Sequence, residues 1–400
     1  MADNETGGVF LDGGHFYRDT WAEIDLGSIK ENITSFKKHL PAETGIMAIV
    51  KANGYGHGAF QTAQAALEAG AQELGVATLD EAIALRRQGI EAPILIMNRI
   101  RPEYANLAAK LGLAVTVFHK EWLAEAAAEI EEGLTLSLHV KTDTGMGRVG
   151  TKSKGETAEL IKEAGKDGCF KVTGLFTHFA TADELDSSLF KQQLAVFKEL
   201  VQELKQLEIC PPVIHCGNSA ASLMAPEELF NVARIGISMY GLTPSNELLP
   251  VLPFQLKEAF SLYTRLIHVK KINRGDTVSY GATYQAEEEE WIGTLPIGYA
   301  DGWMRRFSPG AEAIINGRKV PIVGRICMDQ CMVRLPHEME VGTLVTLVGQ
   351  QDDEKISIDD LAKLAGTINY EIPCLISSRV PRTFKENGRI LENMNVILNF

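Results

Sequence analysis

The sequence has no apolar run long enough to cross a membrane. No stretch of its 400 residues approaches the roughly 20 consecutive apolar residues that a membrane-spanning helix needs. The opening segment, MADNETGGVFLDGGHF, also has no basic region followed by an apolar one, so it predicts no secretory signal peptide. These absences predict a soluble, cytoplasmic protein.

A disulfide framework and an excess of basic charge are missing as well. The six cysteines are scattered and form no CxxC pair, which predicts reduced thiols. Cys327 and Cys331 have no histidine nearby and make a poor metal site, so we predict no metal. Lys and Arg total 39 against 52 Asp and Glu, a net charge of −13, which argues against both nucleic acid and anionic membranes as partners.

What the chain does contain is a repeated pattern of apolar runs and amphipathic stretches. A length of 400 residues predicts two domains. Helical spacing appears in Phe60–Ala69, Asp80–Gln88, Lys120–Glu131 and Leu189–Leu207. The apolar runs between the helical stretches are short and continuous, as in strands buried on both faces of a parallel sheet. They are Ile46–Lys51, Leu74–Thr78, Pro93–Met97, Leu113–Val117, Leu136–Lys141, Val172–His178, Val213–Cys216 and Val232–Ile237. Eight such units favour a closed (β/α)₈ barrel, with an open doubly wound sheet as the alternative.

The pattern changes after about Pro250. Short β-type runs, punctuated by Gly and Pro, replace the alternation, and Asp359–Ala365 is one short helical candidate. The β-type runs are Leu262–Val269, Trp291–Ile297, Val320–Ile326 and Leu344–Val348. We therefore predict a barrel domain over residues 14–248 and a mostly β domain over residues 249–400, with residues 1–13 able to pack with the second. Pro244, Pro250 and Pro253 lie at the junction.

Polar residues fall at the carboxyl ends of several predicted strands. They are Lys51, Lys141, His178, Asn218 with Ser219, and Arg234. Barrel enzymes carry their active sites at these strand ends. A single lysine there is more often a solvent-facing terminus, but several polar residues converging on one barrel mouth favour a site.

Two of these residues stand in glycine-rich segments. Lys51 opens KANGYGHG, whose backbone can approach a ligand closely; a buried amine there would suit Schiff-base chemistry, and a surface lysine is an equal alternative. Arg234 precedes Gly236 in a turn whose N–H groups could hold a phosphate, the alternative being an ion pair with a carboxylate. A structural histidine of the core is the more common role for a residue such as His178, and His215 could equally be structural.

Nine segments, in order along nearly the whole chain after the first dozen residues, resemble the signature blocks of bacterial alanine racemases. The segments are VKANGYGHG, KTDTGMGRVG, THFATAD, HCGNSAAS, ARIGISMYG, VSYGATY, IGYADGW, GRICMDQ and NYEIPCLISSRVPR. The resemblance implies an isomerase with pyridoxal 5'-phosphate as cofactor, a barrel domain followed by a β-rich domain, and a head-to-tail homodimer with shared active sites. It also implies that the enzyme interconverts L- and D-alanine and supplies D-alanine for peptidoglycan.

The resemblance also implies a role for each matching residue. Lys51 forms the Schiff base with the cofactor and serves as one catalytic base, and Tyr280 of the neighbouring subunit serves as the other. Arg148 and Met328 line the substrate side with Tyr280, and Lys141 matches a position that is often carbamylated and orients the equivalent of Arg148. Cofactor-binding positions are Tyr55, His178, Asn218, Ser219, Arg234, Gly236, Ile237 and Tyr370.

An ionised phenol at Tyr280 requires help from a cation or a hydrogen-bond donor. We therefore expect a chain from Tyr280 through His178 to Arg234. Without the family, Tyr280 would be interpreted as a half-buried tyrosine at a domain interface. Gly54 and Gly217 depart from the alanines usual in the family, which affects the rigidity of the pocket rather than its reacting groups.

Three other functions remain as alternatives. A non-catalytic pyridoxal-phosphate carrier would resemble only the barrel, so the second domain and VSYGATY argue against it. Barrel-type decarboxylases tend to place a carboxylate at the pyridine nitrogen, where this chain has Arg234. A broad-specificity amino-acid racemase differs in the width of its pocket, which the sequence does not specify.

Overall fold

The computed structural model describes residues 17–398. Their contacts divide into a barrel unit, residues 27–258, and a β unit formed by residues 17–26 together with 259–398. The predicted packing of residues 1–13 with the β-rich domain lies outside the described residues.

The first strand, β1 (Thr20–Asp25), belongs to the β unit, whereas the predicted barrel domain began at residue 14. Alternate residues of β1 are buried, as expected for a strand with one face on a core. β1 pairs in parallel with the strand that contains Arg382. Ala22 lies opposite Arg382, which comes about 360 positions later in the sequence. Six residues of alternation were too short a signal to assign β1 to a sheet whose other strands come so much later.

The barrel unit contains a sheet of eight parallel strands, which confirms the predicted fold. The strands are β2 (Gly45–Ile49), β3 (Glu73–Val76), β4 (Ile94–Ile96), β5 (Ala114–Val117), β6 (Leu136–Lys141), β7 (Phe170–Phe176), β8 (Val213–His215) and β9 (Val232–Ile235). Their hydrogen-bonded order is β8-β7-β6-β5-β4-β3-β2-β9. Hydrogen bonds connect each of the two end strands, β8 and β9, to residues next to the other. Ile214 N–H in β8 donates to Asn231 Oδ1 at 2.7 Å, and Arg234 N–H in β9 donates to the Gly217 carbonyl at 3.1 Å.

Helices alternate with these strands because their apolar residues recur on one face and capping residues define their starts. The helices of this unit are α1 (Leu26–His39), α2 (Lys51–Tyr55), α3 (Ala59–Glu68), α4 (Leu79–Arg87), α5 (Ala105–Lys110), α6 (Lys120–Ala127), α7 (Lys154–Ala164), α8 (Ser188–Gln206) and α9 (Ser219–Met224). Thr78 forms a capping box with Glu81 at the start of α4, and α8 buries Leu194, Phe197 and Leu204.

The β unit is mostly sheet, as predicted. After β1, the strands of this unit are β10 (Phe260–Arg265), β11 (His268–Ile272), β12 (Thr277–Val278), β13 (Tyr284–Gln285), β14 (Glu290–Leu295), β15 (Glu312–Ile315), β16 (Arg318–Val323), β17 (Cys331–Leu335), β18 (Leu344–Gln351), β19 (Glu354–Ile356), β20 (Arg382–Glu386) and β21 (Arg389–Met394). One sheet has the order β11-β14-β17-β16-β15-β18-β10-β1-β20-β21, with β19 paired to β18, and β12 and β13 form a separate ladder. Two helices accompany the strands, α10 (Ile358–Ala365) and α11 (Glu371–Leu375).

The prediction of one β run over Leu262–Val269 was wrong. The chain forms two strands there, β10 and β11, which lie at different places in the sheet. The break falls at Leu266 and Ile267: Leu266 N–H donates to the Thr343 carbonyl and Ile267 N–H to the Thr294 carbonyl. Adjacent residues thus pair with different neighbours, and continuous hydropathy cannot reveal such a change.

Within residues 17–398, no helix is both long enough and apolar enough to cross a membrane.

Candidate active site

The sequence-predicted polar residues of the barrel meet at the carboxyl end of its strands. Lys51 follows β2, Lys141 ends β6, His178 follows β7 and Ser219 follows β8. Arg234 lies within β9 and is buried. Because the strands are parallel and adjacent, their carboxyl ends share one rim. The geometry therefore brings these residues to one mouth.

Lys51 begins an unusual left-handed turn. Ala52, Asn53, Gly54 and Tyr55 all have positive φ, between 51° and 60°. A left-handed conformation costs an L-residue about 1–2 kcal/mol, so the surroundings must hold the turn. Ala52 N–H donates to Glu81 Oε1 at 2.7 Å. The turn brings the chain back so that Lys51 Nζ lies 6.0 Å from the centre of the Tyr55 ring.

Tyr55, Ser219 and Gly236 form a cradle beside this lysine. Ser219 Oγ accepts a hydrogen bond from Gly236 N–H at 2.9 Å. A Cβ on Gly236 would lie 2.8 Å from the Tyr55 hydroxyl, so only glycine permits this approach. Ser238 Oγ is buried and has no hydrogen-bond partner within residues 17–398. An orphaned buried hydroxyl beside backbone N–H groups suits phosphate oxygens, so these residues fit the phosphate of the cofactor.

The neighbouring predicted residues support this cradle. Asn218 caps α9 by accepting a bond from Ala221 N–H at 3.0 Å. Ile237 is buried in the turn after Gly236. Both residues therefore shape the backbone around Ser219 and Gly236.

Arg234 is the centre of a buried hydrogen-bond network. Its Nη2 donates to the carbonyls of Thr177 and Cys216, at 2.9 and 3.0 Å, and lies 3.2 Å from His178 Nδ1. Its Nη1 lies 2.9 Å from His215 Nδ1. The acceptors that Arg234 reaches within residues 17–398 are thus all uncharged, which excludes the ion pair with a carboxylate that the sequence had left open. Burial lowers the pKa of Arg234 to about 10, so the guanidinium stays protonated at neutral pH.

This arginine determines where the protons of the histidines lie. A guanidinium has only donors, so Nδ1 of both His178 and His215 must accept, and each Nε2 carries the proton. His215 Nε2 then donates to His139 Nδ1 at 2.9 Å. Burial, followed by the charge of Arg234, lowers the pKa of His139 to about 4 and holds those of His178 and His215 well below their usual value. All three rings are therefore neutral.

Lys141 is buried with little compensation for its charge. Burial, and then the charges of Arg234 and Arg148, lower the pKa of its amine to about 7. Its Nζ reaches the Thr142 carbonyl at 3.4 Å and lies 4.9 Å from the centre of the Phe176 ring. Arg148 is exposed in the loop after β6. A neutral amine at this position can react with carbon dioxide.

The three other predicted site residues belong to the β unit. Tyr280 begins a short 3₁₀ turn and is 70% exposed. Met328 is also exposed, and half-buried Tyr370 immediately precedes α11. Exposed large apolar side chains are available for contacts with other molecules.

His139 and Ser238 were not predicted from the sequence, and the role of His215 was left open. His139 and His215 are polar residues inside apolar strands, LSLHVK and VIH, which was the available signal. A buried polar group needs a partner. The sequence did not reveal the partners because His139 and His215 are 76 residues apart.

The barrel, its lysine-bearing turn and its phosphate cradle, followed by a β-rich unit, are the features of a barrel-type enzyme that uses pyridoxal phosphate. The family description "Alanine racemase, N-terminal domain" matches residues 24–244, and "Alanine racemase, C-terminal domain" matches residues 259–384. The chain belongs to the alanine racemase family.

Individual relatives agree along nearly the whole length. The alanine racemase of Geobacillus stearothermophilus is 54% identical over 382 residues, which cover 96% of this chain and 97% of the relative. A crystal structure of alanine racemase from Bacillus anthracis with bound L-Ala-P has a TM-score of 0.94 at 47% identity, covering 96% and 100% of the two chains. A histidine racemase from Leuconostoc mesenteroides has a TM-score of 0.87 at 30% identity, covering 94% and 100%.

Proposed function

We propose that this chain interconverts L-alanine and D-alanine by exchanging the α-hydrogen on opposite faces of the same carbon. Lys51 serves one face and Tyr280 of a neighbouring subunit serves the other. The observation that carries the proposal is the buried Arg234, whose acceptors are all neutral, at the same barrel mouth as Lys51 and the phosphate cradle.

Pyridoxal phosphate, when bound, supplies an electron sink for the α-carbon. In our proposal Lys51 holds it, and the Tyr55 hydroxyl, Ser219 Oγ and the backbone of Gly236 and Ile237 bind its phosphate, with Tyr370 and Asn218 contributing. Arg234 would bind at the pyridine nitrogen, and His178 would lie beside it. A guanidinium does not release a proton at neutral pH, so Arg234 would not protonate the pyridine nitrogen. This suits a reaction that exchanges the α-hydrogen and then stops.

The histidine protons are placed to assist the second base. His178 accepts from Arg234 at Nδ1, so its Nε2–H points away from Arg234 as a donor. A donor aimed at the Tyr280 oxygen would stabilise the phenolate that removes the α-hydrogen. This is the chain Tyr280–His178–Arg234 expected from the sequence, and its Arg234–His178 part lies within the barrel unit.

The remaining assignments concern the substrate and the assembly. We propose that Arg148 and Met328 line the substrate side, and that Lys141 is carbamylated and orients Arg148. The enzyme acts as a homodimer with each site built from both subunits. We place it in the cytoplasm, supplying D-alanine for peptidoglycan, which is consistent with its six free cysteines.

The direct test is incubation of the cofactor-loaded enzyme with L-alanine in heavy water. We expect deuterium at the α-carbon together with loss of optical rotation, and borohydride should fix the cofactor on the peptide that contains Lys51. Neither deuterium uptake nor racemisation under these conditions would overturn the proposal.

Shared sites are tested by mixing two inactive variants, Lys51→Ala and Tyr280→Phe. If each site takes its bases from different subunits, a hybrid dimer contains one intact site and some activity returns. A mixture of Lys51→Ala with the double variant serves as the control, because none of its sites is intact. Demonstrated subunit exchange without recovered activity would exclude the shared site.

A racemase that accepts larger amino acids is the second candidate, because a histidine racemase shares this fold at 30% identity. Comparing kcat/KM for alanine, serine and histidine decides between the two. We expect a preference for alanine, whereas equal values would favour the broad enzyme.

A further inference from the structure

Ser279, the residue immediately before Tyr280, adopts a backbone conformation that is essentially restricted to glycine. Its φ is 67° and its ψ is −176°. Residues held in this region are strained and cluster at functional sites, where the surrounding structure must enforce the conformation. Asn316 also has positive φ, but asparagine tolerates it far better. The strain at Ser279 therefore requires an explanation.

The serine side chain supplies part of what holds this conformation. Ser279 Oγ donates a hydrogen bond to the Arg325 carbonyl at 2.5 Å and lies 3.4 Å from Cys327 Sγ. The bond joins the segment that carries Tyr280 to the segment that leads to Met328. Alanine could not make this bond, and neither could glycine.

Close approach of the two backbones supplies the rest. A Cβ on Gly324 would lie 2.6 Å from the Val278 carbonyl oxygen and 2.9 Å from Ser279 Cβ, so a larger residue would force the segments apart. Val278 and Val323 belong to one buried cluster with Ile272, Ala286 and Ile292. One segment is thus anchored in the core one residue before Ser279, and the other two residues before Arg325.

Tyr280 depends on this backbone for its direction. Its side chain is 70% exposed, so packing constrains it little. The turn closes just beyond it, where Ala282 N–H donates to the Ser279 carbonyl at 3.3 Å. The Ser279 peptide therefore sets the direction in which the phenol leaves the chain.

We propose that Ser279 is a positioning residue for Tyr280: its hydroxyl bond to the Arg325 carbonyl holds the strained peptide that aims the phenol at the α-carbon. This inference rests on the proposed function, in which Tyr280 exchanges the hydrogen on one face. Displacing a reacting group by about 1 Å can lower the rate about 100-fold, so a peptide that keeps the phenol in position preserves the rate.

Ser279→Ala and Ser279→Gly separate the effect of the hydroxyl from the effect of the backbone conformation. Alanine loses the hydroxyl and also disfavours the conformation, whereas glycine loses the hydroxyl but adopts the conformation freely. We expect kcat/KM to fall by about 10- to 100-fold in Ser279→Ala and by less in Ser279→Gly. Asn316→Gly, which relieves a positive φ in the turn between β15 and β16, is the matched control and should change nothing.

The α-deuterium isotope effect distinguishes positioning from general damage. The equilibrium constant between enantiomers is one, so kcat/KM falls equally in both directions whichever step slows. Slower exchange at the Tyr280 face makes that step rate-limiting. The isotope effect should therefore rise with the enantiomer whose α-hydrogen faces Tyr280 and fall with the other.

A second readout needs no turnover. With 3-fluorotyrosine incorporated, the ¹⁹F signal absent from Tyr280→Phe reports on Tyr280, and in the holoenzyme it should shift or broaden in Ser279→Ala. An unchanged signal with unchanged isotope effects, or equal changes with both enantiomers, would overturn the proposal. If Ser279→Ala does not fold, Ser279→Gly decides by the same readouts. Failure of the wild type to exchange the α-hydrogen would instead refute the proposed function.

Discussion

Arg234 Nη1 lies 2.9 Å from Nδ1 of His215, with both side chains buried in the barrel unit. The guanidinium can only donate, so this contact makes His215 the acceptor and directs its remaining proton to His139. Arg234 thus determines which ring nitrogens carry the protons on His215 and His139, which belong to two other strands of the barrel unit.

Arg234→Lys should destabilise the protein and disturb the cofactor. Lysine keeps the charge but offers three donors from a single atom and cannot reach all four acceptors. Each buried acceptor left unpaired costs about 1–3 kcal/mol, so we expect the free energy of unfolding to fall by about 2–4 kcal/mol in urea titrations. The visible absorbance of the bound cofactor should also shift.

The control for Arg234 is Arg86→Lys. Arg86 also donates to several carbonyls, including those of Ile90 at 2.7 Å and Ala92 at 2.8 Å, but it lies on α4. It should lose stability without changing the cofactor absorbance. An Arg234→Lys protein with wild-type stability and spectrum would contradict our account of the network.

The buried histidines should make the protein sensitive to acid. The pKa of His139 is about 4 in the folded protein, whereas an unfolded histidine has a pKa of about 6.5. Between these values the unfolded chain binds more protons, so the free energy of unfolding falls as pH drops from about 6.5 to about 4. Each such histidine contributes up to about 1.4 kcal/mol per pH unit.

His139→Gln tests this origin of the pH dependence. The glutamine oxygen can still accept from His215 Nε2, but the side chain no longer titrates. Urea titrations over this pH range should give a shallower slope than wild type. His337→Gln, at an exposed position, should leave the slope unchanged. Equal slopes for wild type and His139→Gln would show that the acid sensitivity arises elsewhere.

Lys141 should take up carbon dioxide as the pH rises through about 7. Its amine has a pKa of about 7, so the neutral, nucleophilic form predominates above that value. With ¹³C-labelled bicarbonate, a carbamate carbon signal should grow between pH about 6 and about 8 and be absent from Lys141→Arg. Exposed Lys171→Arg is the control and should keep the signal. If Lys141→Arg keeps the signal, the carbamate is on another lysine.

Ser238→Ala should affect the protein only when the cofactor is bound. The hydroxyl is buried without a hydrogen-bond partner in residues 17–398, so its removal should leave the stability of the cofactor-free protein equal or higher. If the hydroxyl binds phosphate, the dissociation constant for pyridoxal phosphate should rise by about tenfold, the equivalent of one hydrogen bond. Fluorescence titration measures this constant. Ser222→Ala, whose hydroxyl bonds to the Asn218 carbonyl, is the control: it should lose stability instead. Unchanged cofactor affinity in Ser238→Ala would remove Ser238 from the phosphate site.

Local periodicity predicted much of the barrel. The strand Leu136–Lys141 has the same bounds in the structure. The helical stretches Phe60–Ala69, Asp80–Gln88 and Leu189–Leu207 each begin and end one residue earlier in the structure. These elements were predictable because burial of one face shows in the spacing of apolar residues that are close together in the sequence. The break after Arg265 and the strand β1 were not predictable, because each depends on which distant strand is its partner.

The sequence by itself determined the alternation of strands and helices, the change to a β-rich second unit, and the blocks that identify the family. Only the tertiary structure decided that Arg234 has neutral acceptors, that His215 and His139 extend its network, and that Ser279 is strained. Alternation is a property of adjacent residues. Hydrogen-bond partners and backbone strain arise when residues far apart in the chain are brought within 3 Å of each other, and no local pattern specifies which residues those will be.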